Sequence, residues 1–226
     1  MVIKGVVFDM DDTLYLERDY VKSGFKAVAS HVAGVAEEND VFNCMWAMFE
    51  NGVRGDTFNR LMQDFPAVAD RFEISDLVKI YREHQPDIAI ISEMKELALA
   101  LKKKGIALGV LSDGPLLSQQ AKVDALGVAS FVDDVMLTDI LGRESWKPST
   151  AGFELLATSL DVHHNTLVYV GDNPVKDFIA PKKLGWLTIR LRMPGQLRER
   201  EEAIDQESSP HEDVCSISQL RALLGA

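Results

Sequence analysis

Two patterns of apolar residues alternate along this chain of 226 residues. Short continuous runs, rich in β-branched and aromatic residues, are typical of strands that are buried in a parallel sheet. Such runs predict five strands, at residues 2–8, 106–111, 131–138, 166–170 and 187–191. Apolar residues at helical spacing occupy the stretches between these runs. We therefore expect helices and parallel strands to alternate in an α/β core.

The stretch between the first two predicted strands differs from the rest, because residues 16–90 carry helical periodicity and no strand pattern. We therefore expect an α-helical domain at 16–90, inserted into a core that comprises residues 1–15 and 91–226. Near the carboxyl terminus, residues 192–213 mix charges with glycine and proline, which predicts an exposed loop with room for one short helix.

Composition is that of an ordinary folded protein, with 46% hydrophobic and 26% charged residues. No apolar run approaches the ~18 residues of a membrane-spanning helix, and the apolar amino terminus meets acidic residues too soon for a signal peptide. The two cysteines, Cys44 and Cys215, lack metal-ligand spacing. A net charge of -11 disfavours non-specific nucleic-acid binding. We expect a cytoplasmic protein that binds neither nucleic acid nor membranes.

Candidate catalytic residues follow the end of the first predicted strand, in the segment DMDDT at 9–13. Asp9 would lie at the carboxyl edge of the sheet, where open α/β sheets bind ligands, and Asp11 would lie just beyond it. One carboxylate could attack phosphorus while the other transfers protons, provided that a divalent cation offsets the repulsion between anions. The alternative is a polar turn in which Asp12 or Thr13 caps the following helix.

Two further junctions between a strand and a helix carry groups that suit an anionic ligand. Ser112 and Asp113 precede Gly114 and a helix, so a hydroxyl and backbone N–H groups could bind phosphate there. Lys147 precedes Pro148 at the start of another helix and could hold a transferring phosphoryl group. The alternatives are an ordinary helix cap for the first pair and a solvated surface position for the lysine.

Another strand ends in the segment GDNPVKD at 171–177. Asp172 and Asp9 together would make an oxygen-rich site for Mg²⁺, which usually takes one or two carboxylates, substrate oxygens and water. Asp172 could instead cap a helix, and Asp177 is expected to support the site rather than bind the ion. Four basic residues could face the aspartates or simply be solvated, namely Arg18, Lys22, Arg54 and Arg60.

These segments occur in the same order as the motifs of the haloacid dehalogenase superfamily, which the chain resembles over its whole length: DMDDT at 9–13, Ser112, Lys147 and GDNPVKD at 171–177. The resemblance implies a Rossmann-like parallel sheet core with an inserted α-helical cap domain. It also implies that Asp9 is a nucleophile and Asp11 a general acid/base. Mg²⁺ would be bound by Asp9, the backbone carbonyl of Asp11, and Asp172.

The resemblance also implies that the phosphoryl group would be held by Ser112, Asp113 and Lys147. It implies a supporting role for Thr13, Asn173 and Asp177. The aspartate two residues after the nucleophile, Asp11, resembles the pattern of the phosphatase and phosphomutase branches of the superfamily. The leading hypothesis is a Mg²⁺-dependent phosphomonoesterase that forms an aspartyl-phosphate and acts on a small phosphorylated metabolite, such as a sugar phosphate or a nucleoside monophosphate. A sugar phosphomutase and a non-catalytic metabolite-binding module are the alternatives.

Overall fold

A computed structural model describes residues 2–226. Within them, one six-stranded sheet has the order β3-β2-β1-β4-β5-β6, and every neighbouring pair of strands is parallel. The strands are β1 (Gly5–Phe8), β2 (Ala107–Ser112), β3 (Asp134–Leu137), β4 (Leu167–Gly171), β5 (Leu187–Leu191) and β6 (Glu212–Val214). The predicted α/β fold with a Rossmann-like parallel sheet is confirmed, since this strand order is that of doubly wound nucleotide-binding folds.

Ten α-helices are present in the described part of the chain. They are α1 (Glu17–Val32), α2 (Glu38–Glu50), α3 (Thr57–Asp64), α4 (Pro66–Ala69), α5 (Ile74–Glu83), α6 (Ser92–Lys103), α7 (Leu116–Leu126), α8 (Ala151–Ser159), α9 (Ile179–Lys183) and α10 (Ile217–Leu224). Five of these helices, α6 to α10, alternate with or follow the strands of the sheet, as the hydrophobic periodicity predicts.

The segment after β5 departs from the prediction of a loop through residue 213. Glu212–Val214 forms the edge strand β6, which pairs with β5 in parallel. Only Val214 of these three residues is buried. Because an edge strand has one partner and can expose charged side chains, it lacks the continuous apolar run of a central strand.

The chain divides into two compact units. One combines the segment up to Arg18 with Ile88–Ala226, and the other is Asp19–Asp87. The second unit is helical, and its own core includes the Phe25 ring, which makes edge or tilted contacts with the rings of Phe49, Phe58 and Tyr81. The aromatic residues of this unit therefore pack against one another, which accounts for their helical spacing in the sequence.

The order of the sheet places a topological switch point between β1 and β4. The chain leaves β1 towards β2 and β3 on one side, and it later returns to β4 and β5 on the other side. Ligands of open α/β sheets bind in the crevice outside the carboxyl ends of the strands at such a point. The apolar residues of β1 and β4 are fully buried, so the polar residues that follow these strands are held on a rigid support.

Candidate active site

Asp9 and Asp172 follow the two central strands at the switch point. The backbone N–H of Asp9 donates to the carbonyl of Val170 over 2.8 Å, which extends the pairing of β1 with β4 to the residue that carries the carboxylate. Asp172 directly follows Gly171, the last residue of β4. Both aspartates are buried, with 6% and 5% of their surfaces exposed. Two carboxylates are thus held at adjacent strand ends with little solvent around them.

Lys147 provides the positive charge beside Asp9. Its Nζ donates to Asp9 Oδ1, to Asp177 Oδ1 over 3.0 Å and to the Tyr169 hydroxyl over 2.8 Å. Burial alone would lower the pKa of this lysine, but the charges of Asp177 and Asp9 raise it well above its ordinary value. Burial raises the pKa of Asp9 to about 7, although the charge of Lys147 opposes the shift. A cationic lysine therefore lies directly against the carboxylate at the end of β1.

The GDNPVKD segment folds so that Asp177 reaches back into the site. Asn173 N donates to Asp177 Oδ2 over 2.9 Å, and Asn173 Oδ1 accepts a hydrogen bond from Val175 N over 2.9 Å. This second contact is an Asx turn, a common use of asparagine after a strand. A Cβ atom at Gly171 would lie 2.5 Å from Asp177 Oδ2. The absence of a side chain at Gly171 is what allows the Asp177 carboxylate its position.

The acidic groups near Asp9 fit a divalent cation. One oxygen from each of Asp9, Asp172 and Asp177 lies within 4.8 Å of the other two. Among residues 2–226, the Asp172 carboxylate has no hydrogen-bond or ion-pair partner, and burial together with the charges of Asp177 and Asp9 raises its pKa well above the ordinary value. A buried carboxylate without a partner is costly unless a cation binds it. Carboxylate oxygens are the ligands that Mg²⁺ prefers.

Asp11 makes a separate set of contacts, because its carboxylate turns towards α7. Lys122 Nζ donates to Asp11 Oδ1 over 2.7 Å, Gln119 Nε2 donates to Oδ2 over 2.8 Å, and the Tyr15 hydroxyl donates to Oδ1. Burial alone would raise the pKa of Asp11, but the charge of Lys122 and these hydrogen bonds hold it below its ordinary value. In this arrangement Asp11 is ionised, so a proton must reach it before it can act as an acid.

Ser112 and Asp113 lie at the end of β2, the other neighbour of β1. The Ser112 hydroxyl is buried and accepts a hydrogen bond from Gln119 Nε2 over 2.6 Å. The Asp113 carboxylate accepts from the backbone N–H of Lys147 over 3.2 Å and from Lys176 Nζ over 2.9 Å. Asp113 therefore links the strand end to the segment that carries Lys147, which places both at one edge of the sheet.

A cavity of about 370 Å³ opens at this edge. Its lining includes six residues that the motifs predict at the site, Asp177 among them in support, and five more, three of which also lie in the GDNPVKD segment. The first group is Asp9, Asp11, Ser112, Asp113, Asp172 and Asp177. The second is Glu17, Asn173, Val175, Lys176 and Arg198, of which Asn173 was expected only in support. The cavity is large enough for a small metabolite.

Other predicted residues have different surroundings. Thr13 is fully buried, and its Oγ1 has no hydrogen-bond partner among residues 2–226. Of the basic residues considered above, Lys22, Arg54 and Arg60 belong to the separate helical unit. Arg54 contacts the Phe49 ring at 4.0 Å from its centroid, and Arg60 forms an exposed ion pair with Asp56.

Sequence reasoning missed several residues that hold the site together. Gln119 and Lys122 lie one turn apart on α7, and both contact Asp11. A polar pair at this spacing, on the helix that follows Ser112, is a signal that could have been noticed. Tyr169 was hidden within an apolar strand, and Arg190 on β5 is almost fully buried. Strand periodicity alone does not distinguish such residues from ordinary core positions.

Comparison with protein families and curated proteins gives a consistent result. A model of the family described as haloacid dehalogenase-like hydrolase matches residues 6–191. A glyceraldehyde 3-phosphate phosphatase of Methanocaldococcus jannaschii is 28% identical over 209 residues, which cover 89% of this chain and 90% of that protein. A ribulose-1,5-bisphosphate 5-phosphatase of Halopiger xanaduensis is 24% identical, with 97% of each chain covered.

Solved structures share the fold along the whole chain. The HAD-hydrolase YfnB of Bacillus subtilis, bound to magnesium, has a TM-score of 0.69 at 16% identity and covers 100% of both chains. A HAD family hydrolase of Deinococcus radiodurans with bound phosphate and sodium has a TM-score of 0.68 at 17% identity, covering 99% of this chain and 95% of that one. Within residues 2–226, no helix has both the length and the apolar character needed to cross a bilayer.

Proposed function

Because this chain belongs to the haloacid dehalogenase-like hydrolase family, we propose that it is a Mg²⁺-dependent phosphatase of small phosphorylated metabolites. The family resemblance noted in the motifs is confirmed by that membership, and with it the expectation of a hydrolase. The relatives named above are phosphatases of small phosphorylated compounds. The proposal includes a cytoplasmic location and the assignment of residues 16–90 as the cap domain that contributes to substrate selection.

One observation carries the proposal. Asp9 lies at the end of a central strand, in contact with the cationic Lys147 and on the wall of a cavity that Asp11 also lines. A carboxylate that attacks a phosphate ester needs nearby positive charge, because nucleophile and substrate are both anionic. A metabolite-binding module would gain nothing from a buried nucleophile beside a second carboxylate that could transfer protons.

The proposed reaction has two halves. In the first, an oxygen of Asp9 attacks phosphorus and the bond from phosphorus to the leaving oxygen breaks, which gives an aspartyl-phosphate. Asp11, once protonated, transfers its proton to the leaving oxygen. In the second half, Asp11 removes a proton from water, and the water oxygen attacks phosphorus. Inorganic phosphate leaves, and the Asp9 carboxylate is restored.

The other residues of the site would hold the phosphoryl group and the ion. Ser112, the Asp113 backbone N–H and Lys147 would bind the phosphoryl oxygens. Asp9, Asp172 and the Asp11 backbone carbonyl would bind Mg²⁺, which supplies positive charge against the phosphate during attack. Asp177 already accepts hydrogen bonds from Lys147 and from Asn173 N. These contacts favour a supporting role, in which Asp177 orients the lysine.

Phosphate release from a panel of sugar phosphates, nucleoside monophosphates and p-nitrophenyl phosphate tests the proposal. We expect release that depends on Mg²⁺, that stops with chelator, and that falls about 10³-fold or more in Asp9→Asn. Asp40→Asn, an exposed change on α2, is the matched control. Near-wild-type rates in Asp9→Asn would contradict the nucleophile assignment. Isomerised sugar phosphate without free phosphate would replace the phosphatase with a phosphomutase.

A further inference from the structure

Two charged residues of the cavity lie outside the motifs and have no part in the proposed reaction. Glu17 is the first residue of α1, and Arg198 belongs to the segment between β5 and β6. Both line the same cavity as Asp9 and Asp172. Neither lies in a motif that carries the family resemblance, so their presence requires a separate explanation.

Arg198 is held in place by contacts with the catalytic segment and with β5. Leu197 N donates to Asp12 Oδ2 over 2.7 Å, and Gln196 Nε2 donates to the backbone carbonyl of Asp12 over 2.6 Å. The buried Arg190 donates from Nη2 to the carbonyl of Arg198 over 2.8 Å. Arg190 Nε also donates to the carbonyl of Asp172 over 2.9 Å. The backbone of Arg198 therefore has a defined position relative to Asp9 and Asp172.

Asp12 also holds Glu17. The second oxygen of its carboxylate, Oδ1, accepts a hydrogen bond from Glu17 N over 2.7 Å. Asp12 has a positive φ of 53°, a backbone conformation that costs energy for residues other than glycine. One buried carboxylate thus links the backbones of Glu17 and Leu197 to the segment between Asp9 and Thr13. This arrangement is rigid, as a specificity site must be.

The two side chains retain unused hydrogen-bonding capacity. Arg198 Nη1 donates to Glu201 Oε2 over 2.7 Å, on the exposed side of the loop. Its Nε and Nη2 have no partner among residues 2–226, and neither has the Glu17 carboxylate. The pair therefore offers donors and acceptors to whatever occupies the cavity. Burial raises the pKa of the Glu17 carboxyl to about 7, and the charge of Arg198 opposes this shift.

We infer that Glu17 and Arg198 are specificity-determining residues that recognise hydroxyl groups on the leaving group, so that the substrate is a phosphate ester of a sugar or another polyol. A hydroxyl both donates and accepts, which matches a carboxylate beside a guanidinium. This inference rests on the proposed phosphatase activity and adds the class of alcohol that the enzyme releases.

A matched pair of substrates tests it. Glycerol 3-phosphate and n-propyl phosphate have the same three-carbon chain and differ by two hydroxyls. We expect the wild-type enzyme to favour glycerol 3-phosphate in kcat/KM by about ten-fold or more. Arg198→Met and Glu17→Gln should each remove most of that preference, mainly through KM. Arg200→Met, an exposed neighbour outside the cavity, should keep the preference.

The possible outcomes separate the inference from the activity on which it rests. Absence of hydrolysis of every ester, including p-nitrophenyl phosphate, would overturn the phosphatase proposal itself. Equal hydrolysis of the two three-carbon esters, or equal losses on both in Arg198→Met, would overturn hydroxyl recognition alone. A loss in Arg198→Met that is largest on 2-phosphoglycolate would also overturn it, in favour of recognition of a second anion.

Discussion

Lys147 Nζ lies 3.0 Å from Asp177 Oδ1, and both side chains are buried, with 1% and 0% of their surfaces exposed. The same ammonium group contacts Asp9. One lysine thus connects the carboxylate at the end of β1 with the carboxylate that follows β4. Asp177, which has only a supporting role in the proposed reaction, thus helps to position the lysine that contacts the proposed nucleophile.

Removal of Asp177 should therefore affect both stability and activity. Asp177→Ala leaves Lys147 with Asp9 as its carboxylate partner and deprives Asn173 N of its acceptor. Because the buried ammonium group loses one of its two carboxylate partners and Asn173 N is left without an acceptor, we expect the free energy of unfolding to fall by about 3 kcal/mol. Denaturant titration measures this change, and Glu96→Ala on the exposed face of α6 is the control. A change below about 0.5 kcal/mol would show that the pair does not stabilise the fold.

The role of Asp11 can be tested with leaving groups of different basicity. An alkoxide needs a proton as it departs, whereas p-nitrophenolate does not. We expect Asp11→Asn to reduce kcat for glycerol 3-phosphate by about 10²- to 10⁴-fold, with a much smaller loss for p-nitrophenyl phosphate. Equal losses on the two esters would contradict the assignment of Asp11 as the general acid. Steady-state kinetics of both esters at one pH are sufficient for this comparison.

Gly171 offers a steric test of the site. A Cβ atom at this position would lie 2.5 Å from Asp177 Oδ2 and 3.1 Å from Tyr169 Cε1. Gly171→Ala should destabilise the protein by about 1–3 kcal/mol and lower kcat, because Asp177 must move away from Lys147. Gly34→Ala is the control, since nothing lies within 4 Å of a Cβ there. The melting temperature and kcat should both fall in Gly171→Ala. Both should stay unchanged in Gly34→Ala.

Protonation of His211 should make the free energy of unfolding depend on pH. Its Nδ1 accepts a hydrogen bond from Thr188 N over 3.1 Å, and burial, followed by the charge of Lys182, lowers its pKa below the ordinary value of 6.5. The neutral ring is therefore favoured in the folded state. The stabilisation that the neutral ring contributes to the folded state is complete above pH 6.5. It is lost as the pH falls through the lowered pKa of His211 in the folded state.

A difference measurement isolates this contribution. His211→Asn keeps an acceptor near Thr188 N but removes the titrating group. Denaturation free energies of the two proteins, measured at several pH values from about 7.5 to 5.5, should diverge because the wild type loses stability faster as the pH falls. Parallel curves would contradict the prediction, since all other titrating groups are common to both proteins.

The motif residues could be placed in advance because strand ends are visible in sequence. Asp9 and Asp172 follow apolar runs, and parallel strands bring their carboxyl ends to one edge of a sheet. The spacing of Gln119 and Lys122 marks a polar pair on α7, but it does not show that both side chains contact Asp11. These contacts depend on how α7 packs beside β1, which is a relation between segments more than 100 residues apart.

The amino-acid sequence by itself determined the alternation of helices and parallel strands, the family, and which side chains are candidates for the proposed reaction. These features follow from local hydrophobic periodicity and from the residue types that end each strand. Tertiary structure alone decided that Glu212–Val214 joins the sheet, that Lys147 links Asp9 to Asp177, and that Arg198 reaches the cavity. Burial and hydrogen bonding between distant segments determine such contacts, and no local pattern encodes them.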